Sequence, residues 1–274
     1  DLSRPPFPQD IALENPFLSS FPYEDTPDQI RAWHEISDDL SANFPMDRLL
    51  CGDVGFGKTE LAIRAAFRVV LSKKRVVVLS PTTILANQLK SSFSARLEPN
   101  AITVDMVSRF RSQKELISVK KSIEENNNDV LIGTHAVLNN DIYLKNIGLL
   151  IVDEEHRFGV KHKEKIKRFK SCVDVLSMSA TPIPRSMNLA LSGIYSVSML
   201  QTAPRLRLPI KTQIEYYNDS IIKEAIDFEV GRGGQVYFVH NDIDSIKNVS
   251  HKLQNLFPKN YVDYIHGQEP SGKI

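Results

Sequence analysis

Gly52-Asp53-Val54-Gly55-Phe56-Gly57-Lys58-Thr59 decides how the rest of this chain is read. It fits G-x-x-x-x-G-K-[ST], a loop whose backbone N–H groups cradle phosphate. Arg48-Leu49-Leu50-Cys51 ahead of it is a short apolar run that predicts a strand. Behind it, Leu61, Ala62, Ala65, Ala66, Val69 and Val70 recur at helical spacing between Thr59 and Leu71. A strand, a glycine loop and a helix N-terminus together make an anion site, because free N–H groups and the helix dipole both favour negative charge. Gly52, Gly55 and Gly57 permit close approaches that a Cβ would block. Lys58 would reach the β/γ-phosphates of a nucleoside triphosphate, and the Thr59 hydroxyl would hold Mg²⁺.

The chain has 274 residues, enough for one large or two modest domains. Its formal net charge of +1 gives no global pull toward nucleic acid, so any such binding must come from a local patch. Cys51 and Cys172 lie far apart on apolar runs and read as small core residues in a reducing compartment, which points to the cytoplasm. No apolar run is long enough to span a membrane, and the first residues lack the pattern of a signal peptide. With no initiator methionine, the chain reads as a piece of something longer.

Around the loop the sequence alternates. Residues 1–25 are Pro-rich and predict a linker or a packed extension. Thr26-Pro27 predicts a helix start, with the helix running to about Asn43. Strands are expected over 75–80, 102–107, 129–133, 148–153 and 173–179. Helices are expected from Thr82 to about Leu97, from Ser112 to about residue 124, and over 184–191. Strands apolar on both faces, separated by helices, imply a parallel sheet covered on both sides. The fold class is therefore α/β, a RecA-like domain over 26–206. A second alternation begins near Pro209, with strands over 210–217, 235–240 and 261–265 and helices over 219–230 and 244–257. It predicts a partial second RecA-like domain over 207–274 whose sheet would be small.

Leu149-Leu150-Ile151-Val152-Asp153-Glu154-Glu155-His156 places carboxylates at the end of a buried strand, where such sheets gather ligands. Asp153 is placed to hold Mg²⁺ and Glu154 to orient the attacking water. Without the phosphate loop, the same string would read as a solvated acidic strand end. Ser179-Ala180-Thr181-Pro182 ends the next strand, and its hydroxyls suit either a γ-phosphate relay or a helix cap. Phe21 could stack on an adenine face and Gln29 could pair with its edge, although a capped helix with a buried Phe explains both in isolation.

These motifs form an ordered set. Gln29 resembles the Q motif of superfamily-2 helicases, and the phosphate loop resembles motif I. Pro81-Thr82-Thr83 looks like motif Ia and Gly133-Thr134-His135 like motif Ib. Asp153 to His156 looks like motif II and Ser179-Ala180-Thr181 like motif III. With Ser108-Arg109-Phe110-Arg111-Ser112, Arg157-Phe158-Gly159-Val160 and Thr181-Pro182-Ile183-Pro184-Arg185, the chain resembles the bacterial transcription-repair-coupling factors over about residues 7–268. RecG-type branch-migration helicases share the last two blocks but usually carry D-E-Q-H and lack S-R-F-R-S.

The resemblance implies an ATP-driven translocase on double-stranded DNA that pushes a stalled RNA polymerase off a lesion and recruits an excision-repair damage sensor, both through modules outside this chain. It also implies that His156 and Thr181, with Ser179, link hydrolysis to domain movement. DNA contacts would come from Thr82, Thr83, Arg109, Arg111, Thr134 and His135, whose groups suit phosphate oxygens. The basic run Lys161 to Lys170 reads first as a solvated helix face. Motifs V and VI and their arginine finger do not appear, and losing such an arginine costs about 10³–10⁵ in rate. The expectation is a chain that binds ATP·Mg²⁺ and hydrolyses it slowly, an ATP-gated DNA-binding module.

Overall fold

A computed structural model of the chain describes residues 3–107, 113–125, 127–139, 141–180, 196–205 and 210–266. Among the described residues, seven strands form one sheet in the order β3-β4-β2-β5-β6-β1-β7. They are β1 (Asp47–Gly52), β2 (Arg75–Leu79), β3 (Val104–Val107), β4 (Val130–Gly133), β5 (Ile147–Asp153), β6 (Asp174–Ser179) and β7 (Ser196–Leu200). Every neighbouring pair is parallel. Helices α1 (Ile11–Ser19), α2 (Pro27–Ser41), α3 (Lys58–Leu71), α4 (Thr83–Leu97), α5 (Gln113–Glu124) and α6 (Val160–Phe169) accompany it.

The all-apolar strands are explained by a core on each face. Val76 and Val78 pack with Ile36, Leu61 and Phe93 on one side. Val77 and Leu79 pack with Val119, Ile123 and Ile166 on the other. Alternate side chains of one strand serve opposite cores, so Val76 to Leu79 are apolar on both faces, while Arg75 at the strand's start is buried with its guanidinium on the carbonyls of Asn128, Lys145 and Ile123. Each such burial is worth about 1.5–3 kcal/mol. The register pairs Leu79 with both Gly133 and Val152, Asp153 with Met178, and Cys51 with Ser179. The carboxyl ends of the strands therefore share one edge.

Two helix starts follow the sequence reading. Thr26 accepts from Gln29 N while the Gln29 side chain accepts from Thr26 N, a full capping box ahead of Pro27. Thr82 accepts from Leu85 N at 3.3 Å and opens α4.

Three expectations are corrected. Part of residues 1–25 is not irregular: α1 forms there, capped by Asp10, despite Pro16 inside it. Its stability comes from tertiary contacts. Glu14 accepts from Arg68 Nη2 at 2.7 Å and from Nε at 2.8 Å, and the Phe17 ring stacks 4.0 Å from that of Phe67. Further upstream, Arg4 Nη2 donates to Asp174 Oδ1 at 2.8 Å. Cys172 is exposed, because it lies in the turn after α6 and not on β6; Cys51 is buried.

The third correction concerns the C-terminal part. The chain divides into two compact units, Asp1–Leu208 and Pro209–Ile274. In the second, α7 (Asp219–Gly231) and α8 (Ile246–Leu256) form as expected, but 210–217, 235–240 and 261–265 form no strand. Ile214 is 92% exposed and Tyr216 96%, so these residues gain nothing from a buried face. Three short segments make a sheet below the usual size, and parallel pairing adds no local contact to help. The helix expected over 184–191 and the Ser108-to-Ser112 string lie outside the described residues.

Candidate functional site

The phosphate loop connects β1 to α3. Gly55 and Gly57 have φ of 81° and 85°, a left-handed backbone that side chains disfavour. At Gly57 there is also no room, since a Cβ would lie 2.2 Å from Gln29 Nε2. That contact shows what Gln29 does here. It is buried, its Oε1 accepts from Thr26 N at 2.7 Å, and its Nε2 donates to Phe56 O at 2.9 Å. The glutamine ties the start of α2 to the loop, and its oxygen is already engaged.

Lys58 leads α3, and its Nζ donates to Gly52 O at 2.6 Å and Asp53 O at 3.0 Å. Asp53 also accepts from Val54 N at 2.7 Å and holds the loop entrance, while Val54 is exposed and Phe56 buried. Burial pulls the Lys58 ammonium below its usual range, against the charges of Glu154, Asp153 and Asp53. Across from it, burial and the Glu154 charge push Asp153 up to about 6, opposed by Lys58 and Arg157. Glu154 has φ 50° and ψ 53°, a left-handed backbone. Its Oε1 accepts from Ala180 N at 3.1 Å, and its Oε2 lies 3.3 Å from His156 Nδ1. Glu155 instead accepts from Ser177 Oγ at 2.6 Å.

These groups share one cleft of about 780 Å³ lined among others by Phe21, Gln29, Gly57, Lys58, Thr59, Asp153, Glu154 and Ala180. The donor set fits Mg²⁺, which takes one or two protein oxygens and completes its shell with water and substrate phosphate. Thr59 and Asp153, both lining the cleft, carry such oxygens. The Phe21 ring in the lining is backed by the Arg64 guanidinium 5.2 Å from its centre and by Arg96 at 5.6 Å.

A helicase-family model, DEAD/DEAH box helicase, matches residues 26–189. The chain belongs to that family. Two curated bacterial proteins named transcription-repair-coupling factor are similar to this DEAD/DEAH box member. The one from Bacillus subtilis is 45% identical over 98% of this chain, and the one from Escherichia coli 47% identical over 92%. The chain spans 23% and 22% of their lengths. A solved structure of RecG bound to a three-way DNA junction superposes with a TM-score of 0.77 at 33% identity, covering 93% of this chain and 34% of that one.

In this DEAD/DEAH box chain the sheet edge is divided. β1, β5 and β6 deliver the phosphate loop, Asp153 and Ser179, and are adjacent in the sheet. β2 and β4, also adjacent, deliver Thr82, Thr83, Thr134 and His135. Thr82 and His135 are exposed, Thr134 is buried, and the His135 ring lies 4.7 Å from that of His162 on α6. Ser179 is buried. Thr181, Arg109 and Arg111 lie outside the described residues. Sequence reasoning missed Arg157 and Pro204, both of which line the cleft. Arg157 stood inside a quoted motif, whereas nothing in the sequence marked Pro204.

Proposed function

We propose that this chain is the ATP-binding core of a DNA-translocating motor. The observation that carries the reading is the convergence of Lys58, Thr59, Asp153 and Glu154 on one cleft at the carboxyl edge of a parallel sheet. Lys58 would exchange its two loop carbonyls for the β/γ-phosphates of ATP. Mg²⁺ held by Thr59 and Asp153 would neutralise phosphate charge. Glu154 would orient a water for in-line attack on the γ-phosphorus and take its proton as the bond to ADP breaks. Because Glu154 is anchored on Ala180 N, changes in the γ-phosphate would reach the segment after β6. Thr82, Thr83, Thr134 and His135, on the other half of the edge, would hold duplex phosphates.

The finer role follows the 45–47% identity to the two coupling factors: displacing stalled RNA polymerase and promoting excision repair in the bacterial cytoplasm. The RecG likeness supports fork remodelling as the second reading. ATP binding and phosphate release, with and without duplex DNA, test the core reading. Lys58→Ala should lose ATP binding, and Glu154→Gln should bind ATP without turnover. Wild-type chain that binds no ATP·Mg²⁺ would end the proposal, and binding with negligible turnover would assign a gated DNA-binding module. A chimera carrying this chain in place of the matched Bacillus subtilis segment separates the finer roles. ATP-dependent release of stalled polymerase supports coupling; fork regression without release supports remodelling.

A further inference from the structure

Asp28 is used by none of the chemistry above, yet its contacts are unusual. In the first turn of α2, Asp28 Oδ2 accepts from two successive backbone groups, Gln201 N at 2.9 Å and Thr202 N at 2.7 Å. Its Oδ1 pairs with Arg31 at 2.7 Å. Those two N–H donors hold its carboxyl down to about 2. Gln201–Arg205 is the stretch that follows β7 and leads toward the second unit. It is also a wall. Pro204 lines the cleft, and with Tyr23 and Glu24 it also lines a neighbouring hollow. A second hollow of about 370 Å³ opens between Tyr23–Pro27 and Thr202–Arg205. Arg205 closes the far side on Glu24 at 2.7 Å.

Gln29, the next residue after Asp28, donates to the phosphate loop through Phe56 O. One turn of α2 therefore grips the phosphate loop with one side chain and the connector with its neighbour.

We propose that Gln201–Arg205 forms the base-side wall of the nucleotide cleft and is set in place by Asp28, so that the base of a bound nucleoside triphosphate is sensed by the segment joining the two units. The inference rests on the ATP reading of the cleft and names a part of the site that reading leaves out. A triphosphate without a base would fill the loop and leave the wall untouched. Asp28 is a positioning residue here, since it reaches the cleft only through Gln201 and Thr202.

Hydrogen exchange of the 274-residue chain tests this with two probes, ATP·Mg²⁺ and tripolyphosphate·Mg²⁺. Both should slow the amides of 52–59. Only ATP should slow those of 201–205, by roughly tenfold if one charge-assisted hydrogen bond's worth of stability is added. Asp28→Ala should speed exchange at Gln201 and Thr202 by a similar factor without nucleotide, while ATP still protects the loop. If that variant unfolds, Asp28→Asn, which keeps an acceptor but no charge, should give an intermediate rate. Protection of the loop by ATP with no change over 201–205, equal effects of the two probes, or wild-type exchange in Asp28→Asn would each overturn the proposal and leave the ATP site standing. Protection of neither segment would overturn both.

Discussion

The N-terminal segment and the second unit exchange the roles their sequences suggest. Residues 3–25 are Pro-rich and without periodicity, yet they are fixed by charge. Arg68 is fully buried on Glu14, Arg64 makes a two-pronged pair with Asp25 at 2.8 and 3.0 Å, and Arg96 and Arg64 share Glu60. Glu60, Arg64 and Arg68 sit four residues apart on α3, so the helix behind the phosphate loop offers one charged stripe to the segment that covers it. The second unit reads as regular α/β and leaves Ile214, Tyr216, Tyr237 and Val239 more than four-fifths exposed. Periodicity reports what a segment could bury; only partners decide whether it does.

The sharpest way to break the comparison is Glu14→Ala. It strands a fully buried guanidinium, and a loss of roughly 3–5 kcal/mol is expected in the urea unfolding of the first unit. A loss below 1 kcal/mol would mean the segment is decoration. Asp25→Ala should cost less, about 1–3 kcal/mol, because Arg64 keeps Glu60. The same variant should also weaken ATP binding, since Arg64 backs the Phe21 ring.

Acid sharpens the contrast further. Asp28 is depressed to about 2, so its contribution is present above the unfolded value near 3.8 and is lost as the pH falls from there through 2. A stability profile of the first unit should fall over that window, and Asp28→Asn should flatten the fall. The smallest effect belongs to the second unit. Tyr216→Lys should change stability by less than about 0.5 kcal/mol, and amides over 210–217 should exchange almost as in an open chain. Protection there comparable to β2 would erase the difference between the two regions.

Legibility followed the same division. The phosphate loop, the Thr26 and Thr82 caps, and the five apolar strands from 75 to 179 were readable because each signal is local. α1 was hidden, since Pro16 stands inside it and its stabilising partners lie on α3, fifty or more residues away. β7 escaped notice as well. It is a short edge strand whose inward residues, Ser198 and Leu200, mix a polar group with an apolar one. In the site, Lys58, Asp153 and Glu154 were legible from motif spacing. The hold of Gln29 Nε2 on Phe56 O was not, because it depends on how closely α2 approaches the phosphate loop.

Glu154 holds a left-handed backbone that a residue with a Cβ adopts at a cost of roughly 1–3 kcal/mol. Glycine at that position would relieve the cost and remove the carboxylate in one step. Selection for thermal endurance alone would therefore favour Glu154→Gly, and a library screened only for survival on heating would enrich chains that lack the carboxylate proposed to orient the attacking water.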